Sequence, residues 1–332
     1  MSENTNTTKR RSAIQIMGSL IGLVKPLLHI MLAAIILGTL GYLCAIFLTI
    51  LAGQVIMHGL LTGVAGMIVP MDNMWRVFTP VKTIITVMIV IAVLRGILHY
   101  VEQYCNHFIA FKLLAIIRHK VFAALRKLCP AKLEGRDKGN LISIITTDIE
   151  LLEVFYAHTI SPIAIATLTS IIMVIFIGRY HWLAGVIALV AYLIVGVVIP
   201  MWNGKRGSQK GMEFRTNFGE LNSFVLDSLR GLDETIQYGQ GEKRKEQMSG
   251  HSKNLAGMQE SLSKMEGSQR SFTNMVILLA SFGMLALTIW LYDKGAMGFE
   301  GILTCTIAMM GSFGPVVALS SLSNNLNQTL AS

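Results

Sequence analysis

Apolar residues in this chain are grouped in long blocks separated by polar segments. Residues 26–71 contain no Asp, Glu, Lys or Arg, and neither do the ranges 154–177, 182–204 and 271–292. Each block is long enough to supply the ~20 apolar residues that a helix needs to cross a bilayer. Two further blocks begin near Val81 and Gly301. The pattern therefore predicts an all-α membrane protein with six transmembrane helices.

Some of these helices are predicted to continue well beyond the bilayer. The second apolar block runs from Val81 to about Leu128 without a helix breaker, which is more than twice the length that a membrane requires. Residues 205–270 are charged and poor in aromatic side chains, so they have little to bury as a separate domain. We expect them to form two long helical extensions of the fourth and fifth spans.

The distribution of charge predicts the orientation of the chain. The composition is 53% hydrophobic and 14% charged. Of the 28 Lys and Arg residues, one lies within span two, Arg95, and four fall in predicted outer segments: Arg76, Lys82, Arg179 and Lys294. Positive residues concentrate on the cytoplasmic side of membrane proteins. We therefore expect a multi-pass protein of the cell (inner) membrane with both termini in the cytoplasm. The net charge of +9 reflects this bias, so lipid is the expected partner and nucleic acid is not.

The first 25 residues are predicted to form a separate segment. A polar tail is followed by Lys9, Arg10 and Arg11 and then by an amphipathic stretch, which favours a helix lying on the cytoplasmic leaflet. A cleaved signal peptide would share the basic start and short apolar region and stays open. Residues 26–332 are expected to form the six-helix transmembrane domain.

Ionisable residues within span two are candidates for a transport pathway. Arg95, His99 and Glu102 are separated by four and three residues and so share one helix face. Charged side chains at membrane depth usually face a cavity, where Arg95 is suited to an anionic or zwitterionic substrate. The alternative is an internal ion pair that locks two helices together. Further polar candidates in spans one and six are Tyr42, Gln54, Asn324, Asn325 and Gln328.

Other side chains raise further possibilities. Gly311, Gly314 and Pro315 provide a place for span six to bend, either as a hinge or as a static kink. Histidines in and beside the spans leave haem binding open, although no CxxCH attachment motif is present. The four cysteines have no zinc or disulfide spacing, and we predict no metal site.

The segment 129–162 is a charged turn followed by a helix that becomes apolar. Pro130, Gly135 and Gly139 interrupt the preceding helix, and Asp137 or Asn140 can cap the next one. Apolar residues then recur at three- and four-residue steps: Leu141, Ile144, Ile145, Ile149 and Leu152. Such a stripe just outside a membrane suits contact with another protein.

Two of these predicted cytoplasmic segments resemble a known family. LRGLDETIQYGQGE (229–242) and KGNLISIITTDIELLE (138–153) are similar to the two intracellular loops of the transmembrane domain of type IV ATP-binding-cassette (ABC) exporters. The six-span layout and the long extensions resemble that family across nearly the whole chain. FYAHTISPI (155–163) further resembles the CydC-like subfamily of bacterial exporters of thiols and amino acids.

The resemblance implies that each loop carries a short coupling helix docked on a nucleotide-binding domain. By position these helices are expected near 137–147 and 222–231. The residues that the resemblance assigns to this contact are Asn140, Ser143, Thr147, Asp148, Asp227, Arg230, Gly231 and Glu234. The alternative for any one of them is a solvated cap or turn residue.

The sequence contains no G-x-x-x-x-G-K-[ST] phosphate loop, so we predict no catalytic residues in this chain. The resemblance then implies ATP and Mg on a nucleotide-binding domain that follows residue 332 or belongs to another chain, and a second half-transporter in a homo- or heterodimer. The expected function is export of a small solute, such as a thiol or amino acid, by alternating access. The alternative is a membrane-anchored sensor or scaffold without transport.

Overall fold

A computed structural model describes residues 27–63, 81–128 and 159–319, and these three ranges are almost entirely helical. The helices are α1 (Leu28–Gly63), α2 (Val81–Leu128), α3 (Ser161–Gly178), α4 (Trp182–Leu193), α5 (Ile199–Arg230), α6 (Leu232–Gln237), α7 (Gly241–Asp293) and α8 (Phe299–Gly311). A π-helical segment, Ile194–Val198, joins α4 to α5. No strand occurs within these three ranges, and the predicted all-α class is confirmed.

Six stretches of the described chain are long and apolar enough to cross a membrane. They are Leu28–Met57, Lys82–Leu128, Ser161–Gly178, Trp182–Gly204, Gly241–Asp293 and Phe299–Leu319, here called spans one to six. Their order agrees with the predicted map, and α2 has the bounds predicted for it. Spans two and five belong to helices of 48 and 53 residues, which are roughly 70–80 Å long at 1.5 Å per residue. These two helices therefore extend well beyond a bilayer.

Helix α1 lies at the centre of one half of the bundle, where it packs against α2, α3 and α8. In the other half, α7 packs against α4, α5 and α8. Small residues allow the closest approaches. A Cβ atom placed on Gly185 of α4 would lie only 2.9 Å from the Cα of Gly178, and the two helices therefore touch backbone to backbone.

Helix α2 differs from the other spans in how little of its apolar surface is covered. Only 6% of its most apolar window is buried, compared with 44% for span six. Its exposed side chains include large apolar and aromatic ones, among them Ile89, Val93, Ile97, Tyr100 and Tyr104. This surface is left for lipid or for another protein chain.

Helices α5 and α7 form an antiparallel hairpin beyond span four and before span five. The Nζ atom of Lys210 lies 3.2 Å from the Oγ of Ser261. Nearer the tip, the ring of Phe224 lies 5.3 Å from that of His251 and 5.1 Å from the guanidinium of Arg244. The predicted pair of long helical extensions is therefore present, with a cation–π contact close to its end.

The tip of this hairpin differs from the sequence prediction in one respect. The range 222–231, expected to hold a separate coupling helix, is the continuous end of α5, so that boundary is wrong. The helix ends only at Gly231, and a distinct short helix, α6, follows it. After α6 the chain reverses at Gly239, whose φ of +64° favours glycine. The helix continues through 222–230 because this stretch holds no glycine or proline that would end it earlier.

Span six is interrupted where the sequence predicted a bend. Helix α8 ends at Gly311, Ser312 and Phe313 form a turn, and the helix resumes at Gly314. Pro315 explains the interruption, because its nitrogen carries no hydrogen and its ring clashes with the carbonyl four residues earlier.

Candidate functional site

The ionisable residues of span two lie near the middle of α2, between apolar stretches. His99 and Glu102 are in contact along the same helix, with 3.3 Å between Nδ1 of His99 and Oε2 of Glu102. The side chain of His99 is 62% exposed and that of Glu102 only 5%. Arg95 is also exposed, and among the described residues no carboxylate lies within 4.0 Å of it. In the described helices this group therefore holds no ion pair that joins two helices.

Glu102 is buried because α1 passes directly over it. A Cβ atom placed on Gly38 of α1 would lie 3.0 Å from the Cγ of Glu102 and even closer to Cδ1 of Ile165, so the absence of a side chain there makes room for both side chains. The amide nitrogen of Asn106, one turn further along α2, donates a hydrogen bond of 2.5 Å to Oε1 of Glu102. With His99 on its other oxygen, the carboxylate has partners at both atoms. Glu102 therefore fixes the position of His99 and does not itself face the open side.

Tyr42 of α1 lies between the polar residues of α2 and span six. At the neighbouring Gly41, α1 packs closely on α2, since a Cβ atom placed there would lie 3.9 Å from the backbone nitrogen of His99. The Tyr42 ring borders the interruption of span six, since a Cβ atom on Gly314 would lie 3.7 Å from Cε1 of Tyr42. The four residues Arg95, His99, Glu102 and Tyr42 are here called the α2 polar site. They lie where α1 packs between α2 and the interruption of span six.

Gln54, the other candidate in span one, lies apart from this site. It is buried between α1 and α8, where its Nε2 donates a 2.7 Å hydrogen bond to Oγ1 of Thr304. Its Oε1 atom is buried and has no hydrogen-bond partner among the described residues. In this conformation Gln54 joins two helices, and a role in the pathway stays a prediction. The span-six candidates Asn324, Asn325 and Gln328 lie outside the described residues.

The proposed contact to a nucleotide-binding domain is described only for the second hairpin. Asn140, Ser143, Thr147 and Asp148 lie outside the described residues. Asp227 and Arg230 are exposed near the end of α5, Gly231 is the junction, and Glu234 is in the first turn of α6. These four residues therefore lie together at the tip of the hairpin.

The surface of this tip combines apolar and acidic side chains. Ile236 is 70% exposed, and Leu232 and Tyr238 are exposed beside it. Asp233 and Glu234 occupy the first turn of α6, where the helix dipole stabilises negative charge. Large apolar side chains at the end of a long hairpin have nothing to cover them within the described chain. The tip therefore has the composition of a protein contact surface.

Two residues that hold Glu102 in place beside the α2 polar site were missed by the sequence analysis. Asn106 follows Glu102 by four residues, which is a signal that could have included it. Gly38 carried no such signal, because its importance depends on how closely α1 approaches α2. Within residues 27–63, 81–128 and 159–319, no three His, Cys, Asp or Glu side chains cluster as a metal ion would require.

The apolar spans, the exposed ionisable groups within them and the two-helix extension define a multi-pass helical membrane protein. The sequence matches the ABC transporter transmembrane region family over residues 27–316, and the chain belongs to this family. The predicted resemblance to the transmembrane domain of ABC exporters is thereby confirmed.

Individual relatives have the same character. A probable ABC transporter ATP-binding/permease protein of Haemophilus influenzae is 40% identical over 326 residues, covering 97% of this chain and 56% of the relative. The ATP-dependent lipid A-core flippase of Escherichia coli K12 is 25% identical over 247 residues, covering 72% and 40%. The glutathione/L-cysteine transport system ATP-binding/permease protein CydD of Bacillus subtilis is 22% identical over 166 residues, covering 49% and 28%. The chain thus spans about half the length, or less, of these relatives.

Proposed function

We propose that this chain forms half of the translocation pathway of an ATP-driven exporter. The observation that carries the proposal is that Arg95 and His99 are exposed within an apolar span. A charged side chain facing lipid at this depth is costly, whereas one facing a water-filled cavity is not. The exposed surface of α2 is therefore one wall of a pathway, and a second half-transporter, identical or related, forms the opposite wall.

The α2 polar site is the proposed substrate contact. Glu102 already holds His99 and Asn106. Within the α2 polar site, the charged group that faces the open side and has no carboxylate partner among the described residues is the Arg95 guanidinium. It suits the carboxylate of an amino acid or a peptide-like thiol. The name of the CydD relative, a glutathione/L-cysteine transport protein, supports that class, and the flippase relatives make lipid the competing one.

The power source is proposed to be a nucleotide-binding domain that binds ATP and Mg. Two of the relatives are named ATP-binding/permease proteins and are nearly twice as long as this chain, which supports an ATPase module in the same polypeptide. The α6 tip and the loop around Asn140 would dock on that module. The protein would lie in the inner membrane with both termini in the cytoplasm, where ATP is available.

The test is transport by the full-length protein in proteoliposomes. ATP-dependent uptake of labelled glutathione, cysteine, other amino acids and lipid is measured for the wild type and for Arg95→Ala. Because a hydrogen bond to a charged group contributes about 1.5–3 kcal/mol, we expect Arg95→Ala to lower uptake of the transported solute by about tenfold or more. The matched control is Arg179→Ala, which removes an exposed arginine in the turn between α3 and α4.

Two results would contradict the proposal. Uptake that persists unchanged in Arg95→Ala would remove the α2 polar site from the pathway. A full-length protein that neither hydrolyses ATP nor moves any of these solutes would favour a sensor or scaffold instead.

A further inference from the structure

Two irregular helix segments lie side by side in spans four and six. Span four contains the π-helical segment Ile194–Val198, and span six is interrupted at Ser312 and Phe313. Both segments have the same sequence pattern, a glycine four residues before a proline, in GVVIP (196–200) and GSFGP (311–315). Proline disturbs the carbonyl four residues earlier, and π-helical turns and prolines are the usual places where helices kink. We therefore expect spans four and six to bend most easily at these two segments.

The region around the π-helical segment of span four is in direct contact with the region around the interruption of span six. The hydroxyl of Tyr192 forms a hydrogen bond with the hydroxyl of Ser312. The Tyr192 ring meets Phe313 edge to face, with 5.3 Å between centroids. A Cβ atom placed on Gly196 would lie 3.0 Å from Cγ1 of Val316. The side chains of Tyr192, Ser312, Phe313 and Val316 are all buried.

The hydrogen-bond direction can be assigned from the partners. Ser312 Oγ lies 3.0 Å from the carbonyl oxygen of Met309, to which it donates. A serine hydroxyl has one hydrogen, so Tyr192 donates to Ser312. The Met309 carbonyl is among the last four of α8, which lack regular helical partners. The chain of bonds from Tyr192 to Met309 therefore closes the broken end of α8 with a side chain from span four.

We propose that Tyr192 and Ser312 form a latch that makes spans four and six bend as one unit. Span four continues directly into α5, whose far end is the α6 tip, so a displacement of the tip reaches the membrane at the π-helical segment. The interruption of span six borders Tyr42 of the α2 polar site. The latch thus connects the extension to the substrate contact. The role of the latch in nucleotide-driven motion rests on the proposed function. Its stabilisation of the irregular segments of spans four and six does not.

The first experiment is hydrogen exchange of the full-length protein without nucleotide. Removing an interhelical hydrogen bond within a membrane typically shifts an equilibrium by about threefold. Tyr192→Phe keeps the ring and removes only the hydroxyl, so we expect the span-six segment 309–319 to exchange about threefold faster. Ser312→Ala should accelerate exchange in 190–204 of span four by a similar factor, and the double variant should resemble either single variant.

Matched controls are available elsewhere in the chain. Tyr292→Phe removes a hydroxyl from a ring that is also in edge-to-face contact, with Phe299, but is exposed. Ser281→Ala removes a buried hydroxyl that bonds to Ile277 of its own helix. Neither control variant should change hydrogen exchange in segment 309–319 of span six or in segment 190–204 of span four. If Tyr192→Phe leaves 309–319 unchanged, or if the controls act equally, the latch is refuted.

The second experiment tests whether the latch moves. Gly196→Cys and Val316→Cys are combined in a background where all other cysteines are replaced by alanine. The initial rate of oxidative cross-linking is then measured with and without ATP and vanadate. We expect the rate to differ between the two conditions and the difference to shrink in Tyr192→Phe. Equal rates in a protein that hydrolyses ATP would contradict coupled bending. Absence of ATP hydrolysis together with the expected exchange result would refute the proposed function and leave the latch in place.

Discussion

At the scale of single residues, the important feature is the difference between Glu102 and its neighbours. Glu102 is buried under Gly38 and bonded at both oxygens, whereas His99 and Arg95, on the same side of α2, are exposed. A buried carboxylate without these partners would be costly at membrane depth. Glu102 is therefore a positioning residue, and Arg95 is the residue available to a ligand.

This assignment predicts different effects for two substitutions of Glu102. Glu102→Leu leaves the buried Asn106 amide without its acceptor, which should lower the free energy of unfolding by about 1–3 kcal/mol. Glu102→Gln keeps an acceptor oxygen of the same shape and should lose less than half of that. Thermal unfolding of the purified protein in detergent measures both. Equal stability of the leucine variant and the wild type would show that Glu102 does not organise this site.

Part of the α2 polar site was predictable because helix periodicity depends on sequence alone. The spacing of Arg95, His99 and Glu102 is sufficient to place all three on one face of a helix. Burial of Glu102 was not predictable, since it depends on α1 crossing at a glycine. The contact between His99 and Glu102 also joins residues of one helix, and the predicted alternative of an ion pair that locks two helices finds no support in the described chain.

At the scale of helices, the packing of α3 on α4 depends on two glycines. Gly185→Ala would place a methyl group 2.9 Å from the Cα of Gly178 and 3.3 Å from the carbonyl oxygen of Val174. Backbone atoms cannot rotate away as a side chain can. We expect a loss of about 1–3 kcal/mol, as for overpacking in a core, seen as a lower melting temperature in detergent.

The matched control for this substitution lies in span five. Gly283 of α7 has open space around its Cβ position, so Gly283→Ala should leave the melting temperature unchanged or raise it. If both variants melt at the same temperature as the wild type, the close contact of α3 and α4 does not hold the bundle together.

Helix boundaries show which sequence signals are reliable. The bounds of α2 and the interruption of span six follow from the absence or presence of glycine and proline, and both were predicted. The separate helix at the hairpin tip was placed too early, because the resemblance fixed its position only approximately. Gly231 and Gly239, which bound it in the structure, are the physical signals that define it.

At the scale of the whole molecule, the hairpin of α5 and α7 connects a distant surface to the membrane. Helix α5 continues for about 40 Å beyond Gly204 at 1.5 Å per residue, and α7 packs along it with ring contacts near the tip. A stiff hairpin with an exposed apolar end is suited to transmit force from a protein bound at that end. The latch and the α2 polar site lie along the same route.

The most direct test of this account is to identify what the tip touches. A photo-reactive amino acid is placed at Ile236 of the full-length protein in native membranes, with the exposed Lys253, further along α7, as the control position. We predict that mass spectrometry of the Ile236 product finds peptides of a nucleotide-binding domain, with a yield that changes on adding ATP and vanadate, and that Lys253 gives little of this product. A product at Ile236 that contains lipid or unrelated proteins, with no nucleotide-binding domain in either condition, would contradict the account.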